Sequence, residues 1–150
     1  MGQHKKVIWA LGFFGLTVIL VYCFELYKKS EHGFNTKNLW EITEAIFRFK
    51  ADHRSPPNNM MDLIPQYLSE MPKTRLIGYG HWNSSLVEYY SFLDSRGNAD
   101  PKKLKDTGHW IYDSSTGKIT IDCTHKCFAG FPYYDISRQL GLANTGMHFW

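Results

Sequence analysis

The sequence predicts an α+β protein with an N-terminal transmembrane helix, an amphipathic helix and then a small antiparallel β-sheet. Three observations support this fold class. Residues 7–24 form an uncharged apolar run. From residue 39, apolar residues recur every three or four positions, and after residue 86 the chain is rich in β-branched and aromatic residues separated by turn residues. Because the helical and strand patterns occupy separate parts of the chain, they indicate an α+β arrangement.

The run Val7–Phe24 predicts a membrane span. At about 1.5 Å per helical residue, it nearly crosses a hydrocarbon core of about 30 Å. The run ends in bulky residues rather than in the small-residue site of a cleaved signal peptide. We therefore expect an uncleaved signal anchor, with a basic cytoplasmic tail (1–6), a transmembrane helix (7–27) and a connector (28–37) that breaks the helix at Gly33.

The charges that flank the run are nearly balanced, with Lys5 and Lys6 before it and Lys28 and Lys29 after it. Charge alone therefore does not set the orientation. The tail is only six residues long, which favours translocation of the larger C-terminal part. We expect a single-pass protein of the bacterial inner membrane, with residues 38–150 as a soluble periplasmic domain.

An amphipathic helix is predicted to start at Asn38, whose side chain can cap it together with Glu41. Ser55-Pro56-Pro57 predicts its end, because proline cannot donate a helical hydrogen bond and restricts the residue before it. One apolar stripe runs along the helix at spacings of three and four residues: Leu39, Ile42, Ile46 and Phe49.

The segment HWIYDSSTGKITID (109–122) predicts a β-hairpin. Two stretches rich in β-branched and aromatic residues flank Ser114-Ser115-Thr116-Gly117, which has the composition of a turn. The preceding segment LVEYYSFL, from Leu86, is predicted to be a further strand of the same sheet.

The charge pattern argues against nucleic-acid binding. The net charge is only +3, and the cluster Lys102, Lys103 and Lys105 is interrupted by Leu104 and followed by Asp106. The sequence contains neither the Gly-x-Ser-x-Gly motif of a nucleophilic serine nor a phosphate-binding glycine loop. We therefore predict a protein that is not an enzyme.

Cys123 and Cys127, in CTHKC, form a closely spaced pair. In an oxidising compartment this spacing favours a small disulfide loop. The alternative is a zinc site with His125 as a third ligand, but a fourth ligand at motif spacing is missing. His81 and His109 each precede a tryptophan, and we interpret both as histidines packed beside an aromatic ring.

Several segments, taken in order, resemble a type IV pilin-like protein, most specifically the major pseudopilin of type II secretion systems. AIFRFKADHRSPP followed by MDLIPQYLSEMP is similar to the family's helix end and proline loop. YYSFLDSRGNAD, then DTGHWIYD and WIYDSSTGKI, are similar to its strand, its acidic loop and its Trp-Tyr-Asp turn. The resemblance covers roughly residues 36–122.

The resemblance implies a calcium site in the acidic loop, with Asn98, Asp100 and Asp106 as ligands. Oxygen-rich flexible loops suit this hard cation. The chain departs from the family at the N-terminus. Gly12-Phe13 lies inside the apolar run, and Thr17 stands where prepilins carry the glutamate used for processing and docking. The chain thus lacks a normal prepilin cleavage motif.

From these features we expect a membrane-anchored protein with a pilin-like domain that acts through contacts in an envelope or secretion assembly. Its partners would be the membrane and other pilin-like or secretion-system proteins, with Phe149 and Trp150 as candidate partner-binding residues. Two alternatives remain: a processed minor pseudopilin of a type II secretion or type IV pilus system, and a metal-dependent periplasmic enzyme or sensor.

Overall fold

The computed structural model describes the backbone of residues 2–91 and 99–135 and the side chains of residues 12–91 and 99–135. A long helix, α1 (Gly2–His53), is followed by three short strands: β1 (Val87–Tyr89), β2 (Trp110–Asp113) and β3 (Lys118–Ile121). One-turn 3-10 helices occur at Met60–Leu63, Ile77–Tyr79 and Pro101–Lys103. The α+β class is therefore confirmed.

The three strands form one sheet in the order β1-β2-β3. The predicted hairpin is confirmed: β2 and β3 are antiparallel, with Trp110 opposite Ile121 and Asp113 opposite Lys118. The prediction of a wholly antiparallel sheet is wrong, because β1 pairs with β2 in parallel. Residues 90–109 connect these two strands, and a connection longer than about a dozen residues is what a parallel pair requires.

The core lies between the C-terminal half of α1 and one face of the sheet. Leu39, Ile42 and Ile46 of the predicted stripe are buried, and Phe49 packs against them. Side chains alternate along β2 as in any strand, so Trp110 and Tyr112 face this core, while Ile111 packs with Ala99 on the other side. The stripe is therefore the face of α1 that carries the sheet.

The helix ends where the prolines predict. Residue Arg54 follows it with a φ of 63°, a left-handed C-terminal conformation. Two aromatic side chains of β2 then bind the proline-containing loops. Tyr112 Oη donates to the Pro57 carbonyl at 2.8 Å, and Trp110 Nε1 donates to the Pro72 carbonyl at 2.7 Å. These bonds satisfy two loop carbonyl groups and the buried donors of the two side chains.

The helix does not break at the predicted connector. Residues 28–37 are helical, and Gly33 lies inside α1. Nor does Asn38 cap a helix, because its buried Nδ2 donates to the Lys73 carbonyl at 2.8 Å. The polar character of this segment, which suggested a break, has another origin: its polar side chains bind a loop.

Three buried side chains on one face of α1 bind the loop of residues 73–78. Asn35 accepts from the Arg75 N–H at 2.7 Å and donates to the Arg75 carbonyl at 2.6 Å. Glu31 Oε1 accepts from the Gly78 N–H at 3.0 Å. With Asn38 these residues lie at i, i+4 and i+7, so they share one face. They satisfy loop backbone groups that no strand pairs with.

Among the described side chains of α1 before residue 28, the large apolar ones are exposed, from Phe13 at 75% to Tyr27 at 38%. Within the described side chains, we find no helix with a stretch long and apolar enough to cross a bilayer. The tail at residues 1–6 and the first part of the predicted span, residues 7–11, lie outside those side chains.

Replacement of Asn35 by leucine should destabilise the domain by about 1–3 kcal/mol, because the N–H and C=O of Arg75 would lose their partners. Urea unfolding followed by circular dichroism measures this change. Lys37→Leu, on the exposed face of the same helical turn, is the matched control and should change the free energy of unfolding little. Equal effects of both substitutions would contradict the proposed role of Asn35.

Candidate metal centre

Four side chains from three loops form a group that could hold a metal ion: His81, Asp106, Cys123 and His125. One ligand atom of each lies within 4.8 Å of those of the others. Cys123 is buried, and the other three are partly exposed. The loops are residues 73–84 before β1, residues 104–109 before β2 and residues 122–135 after β3.

Four of the six distances among the ligand atoms are close to the edges of a tetrahedron around one metal ion. Cys123 Sγ lies 3.6 Å from His81 Nε2 and 3.5 Å from His125 Nδ1. Asp106 Oδ1 lies 3.7 Å from each of the same two nitrogens. Tetrahedral zinc, with bonds of about 2.3 Å to sulfur and about 2.0 Å to nitrogen or oxygen, gives sulfur–nitrogen edges of about 3.5 Å and nitrogen–oxygen edges of about 3.3 Å.

His81 reaches the group because a glycine makes room for it. Gly108 has a φ of +74°, and a Cβ there would lie 2.7 Å from His81 Cβ. Thr74 closes the loop that carries His81: its N–H donates to the Ser84 carbonyl at 2.8 Å, and its Oγ1 donates to the Gly108 carbonyl at 2.8 Å. The histidine is thus held against the next loop by two buried contacts.

Asp106 is positioned by a second carboxylate, that of Asp122. Asp122 is fully buried and accepts from the N–H groups of Lys105, Asp106 and Thr107 at 3.0, 3.1 and 3.1 Å, and from Thr107 Oγ1 at 2.7 Å. This arrangement bends the chain so that Asp106 adopts a φ of 57°, which is uncommon for a residue other than glycine. Its Oδ1 then accepts from the Thr124 N–H at 2.8 Å.

A bound cation would change the protonation state of Cys123. Burial, with the carboxylates of Asp106 and Asp122 nearby, raises the pKa of the Cys123 thiol to about 12. A thiol that binds a metal is deprotonated, since the ion supplies the opposite charge. In the protein alone Cys123 is therefore a neutral thiol, and ion binding would release its proton.

Lys105 lies next to Asp106, and its positive charge alone would be expected to repel a cation at this site. That charge is instead paired with another carboxylate. Lys105 Nζ donates to Glu88 Oε2 at 3.0 Å, and His109 Nδ1 lies 3.0 Å from Glu88 Oε1. Hydrogen bonds lower the pKa of Glu88 to about 2. The bond from Tyr90 contributes most, followed by those from Lys105 and His109. The ammonium group is thus paired with a carboxylate outside the metal-ligand group.

The predicted site residues are only partly brought together. Asp106 belongs to the metal-ligand group, whereas Asp100 caps the short helix Pro101–Lys103 by accepting from the Lys102 N–H at 3.0 Å. Asn98, Phe149 and Trp150 lie outside the described residues. Cys123 and Cys127 are both buried free thiols, and their disulfide stays a prediction.

Sequence reasoning considered Cys123, Cys127 and His125 as zinc ligands, and of these Cys127 is not in the metal-ligand group. Asp106 was predicted only as a calcium ligand, and His81 was not predicted as a ligand. His81 lies 42 residues from Cys123 along the chain, so no motif spacing connects them. Its interpretation as a packed histidine is incomplete, because its Nε2 faces the Cys123 thiol. The usable signal is the glycine-rich context, since Gly78, Gly80 and Gly108 permit the tight loops that bring His81 and Asp106 together.

Comparisons with family models, with curated proteins and with solved structures find no match for this chain.

The substitution Asp122→Asn should weaken metal binding by about 10- to 100-fold, as loss of a group that orients a ligand does. An amide has one acceptor oxygen where the carboxylate has two, so the turn that holds Asp106 loses hydrogen bonds. Competition with a chromogenic zinc chelator measures the affinity. Asp100→Asn is the control, and it should leave zinc affinity unchanged. If Asp100→Asn had the larger effect, the acidic loop rather than the four-residue group would be the metal site.

Proposed function

We propose that this chain is a membrane-anchored protein without enzymatic activity, whose extramembrane α+β domain is stabilised by a structural zinc ion. The observation that carries the proposal is the arrangement of His81, Asp106, Cys123 and His125, in which four of the six ligand-atom distances, 3.5–3.7 Å, are compatible with tetrahedral zinc. Four protein ligands would complete the coordination of zinc, which is the arrangement of structural rather than catalytic sites.

The donor atoms favour zinc over calcium. The group offers one thiol sulfur, two imidazole nitrogens and one carboxylate oxygen, a set that suits zinc and related transition metals. Calcium requires six to eight oxygen ligands. Asp106 is common to this group and to the calcium site expected from the pilin resemblance, so the two ions would compete for it.

The same arrangement argues against a metal-dependent enzyme. A catalytic zinc ion keeps one position for water or substrate and therefore has three protein ligands. Here the fourth ligand, Asp106, is held in place by Thr124 and by the turn around Asp122. A sensor or enzyme would require that this ligand dissociate, against the bonds that position it.

Membrane anchoring is supported by the exposed apolar side chains of residues 13–27 and by the basic residues on both sides of the predicted span. We place the domain in the periplasm, on the outer face of a bacterial inner membrane. There it would work through contacts with pilin-like or secretion-system proteins. Calcium binding and the partner-binding roles of Phe149 and Trp150 stay predictions.

The pilin-like part of the proposal is supported by the unbroken helix α1, whose C-terminal half packs on a small sheet and is followed by a proline loop. The continuous helix also favours the processed minor pseudopilin as the second candidate. A native protein that lacked Met1 to Gly12 and carried a methyl group on Phe13 would support that candidate over an uncleaved anchor.

Protein purified without chelators should contain one zinc ion per chain, measured by mass spectrometry of the metal. Zinc should raise the free energy of unfolding by about 2.7 to 4 kcal/mol when the free ion is present at about 100 to 1,000 times its Kd. Cys123→Ser should abolish both effects, because it removes the sulfur ligand. The matched control is Cys23→Ser, at the exposed cysteine of the helix, and it should retain both.

A stabilisation by calcium that survives Cys123→Ser would contradict the zinc proposal and support the acidic loop. A loss of stability on addition of a reductant, with no zinc bound, would support the Cys123–Cys127 disulfide instead.

A further inference from the structure

The loop of residues 77–82 contacts the part of α1 that directly follows the predicted membrane span. The Gly78 N–H donates to Glu31 at 3.0 Å, and a Cβ at Gly78 would lie 3.5 Å from Tyr27 Cε1. Lys28 Nζ lies 5.9 Å from the centre of the Tyr79 ring. The loop therefore lies beside helix residues 27–31.

The helix geometry sets the depth of this contact. Glu31 follows the end of the predicted span at residue 27 by four residues, or about 6 Å along the axis at about 1.5 Å per residue. The polar layer on each side of the hydrocarbon core is about 5–7 Å thick. If the span is where we propose, Gly78 lies at the level of the lipid headgroups.

The same loop exposes side chains that favour the bilayer interface. Trp82 is 89% exposed, and Ile77 is 54% exposed. Lys28 Nζ lies 4.7 Å from the centre of the Phe24 ring, so a cation and an aromatic ring share the end of the span. Tryptophan and lysine are typical of membrane–water interfaces, where an apolar body and a polar tip are both satisfied.

We propose that loop 77–82 is a second membrane contact, in which Trp82 and Ile77 enter the headgroup layer beside the helix. The inference rests on the proposed membrane anchoring. It adds that the domain is fixed against the lipid surface rather than free to swing on its helix. Since His81 lies in the same loop, the metal-ligand group would be held close to the membrane surface.

Trp40 provides a matched comparison. It is also exposed, at 57%, but it lies nine residues beyond Glu31 on α1, or about 13.5 Å farther along the axis. That distance exceeds the thickness of the headgroup layer. A tryptophan of similar exposure is thus available that should not contact lipid.

The experiment uses the full chain in phosphatidylethanolamine–phosphatidylglycerol vesicles whose acyl chains carry bromine either near the headgroup or near the tail end. Bromine quenches tryptophan fluorescence at close range. The comparison is made in a Trp9→Phe background, because Trp9 lies about 3 Å from the other end of the predicted span. In that background, Trp82→Phe should remove most of the quenching by the shallow bromine, whereas Trp40→Phe should leave it unchanged. Because both side chains are exposed, neither substitution should alter the thermal unfolding of the domain.

A tryptophan near residue 17, the middle of the predicted span, tests the anchor separately. Leu16→Trp, at an exposed apolar position of α1, should add quenching by the deep bromine. If Leu16→Trp gains this deep quenching but the shallow quenching is the same with and without Trp82→Phe, the anchor holds and the loop contact is wrong. If neither bromine position quenches, the membrane anchoring fails, and the inference fails with it.

Discussion

The buried carboxylate of Asp122 determines the shape of the loop that precedes β2. Its charge is stabilised by three backbone N–H groups and one hydroxyl of residues 105–107. Removing a carboxylate from water costs several kcal/mol unless such donors replace the water. The turn of residues 105–107 therefore follows from the need to solvate Asp122, and the position of Asp106 follows from that turn.

Hydrogen bonds from buried polar side chains replace strand pairing for much of the described backbone. The sheet has three strands of three or four residues, and long stretches of backbone lie outside it. Side chains satisfy these stretches: Asn35, Asn38 and Glu31 bind loop 73–78, and Asp122 binds residues 105–107. The candidate metal centre lies where these two loops meet the segment after β3, so an ion there would connect three irregular segments at once.

The sequence predicted the elements whose signals are local. The hairpin of β2 and β3, the end of α1 at the prolines and the buried stripe of Leu39, Ile42 and Ile46 all follow from spacing and turn chemistry. The parallel pairing of β1 with β2 could not be predicted from the sequence, because it depends on how the long connection of residues 90–109 returns to the sheet. The continuity of α1 through Gly33 was missed for a related reason, since Asn35 and Asn38 have partners some 35 to 40 residues away.

The metal-ligand group shows the same limit. CTHKC offered Cys123 and His125, which are neighbours in the chain, but His81 and Asp106 join them only through folding. The loop of residues 73–82 contacts both α1 and the metal-ligand group, so α1, the loop and the candidate ion form one connected unit. Loss of the ion should therefore weaken the contacts between this loop and helix residues 27–38.

X-ray absorption at the zinc edge of the purified protein identifies the atoms bound to the metal and so tests the assignment of the four ligands. We expect one sulfur at about 2.3 Å and three nitrogen or oxygen atoms at about 2.0–2.1 Å. Cys123→Ser should remove the sulfur contribution. A zinc shell without sulfur in the unmodified protein would contradict the assignment of His81, Asp106, Cys123 and His125 as the metal centre.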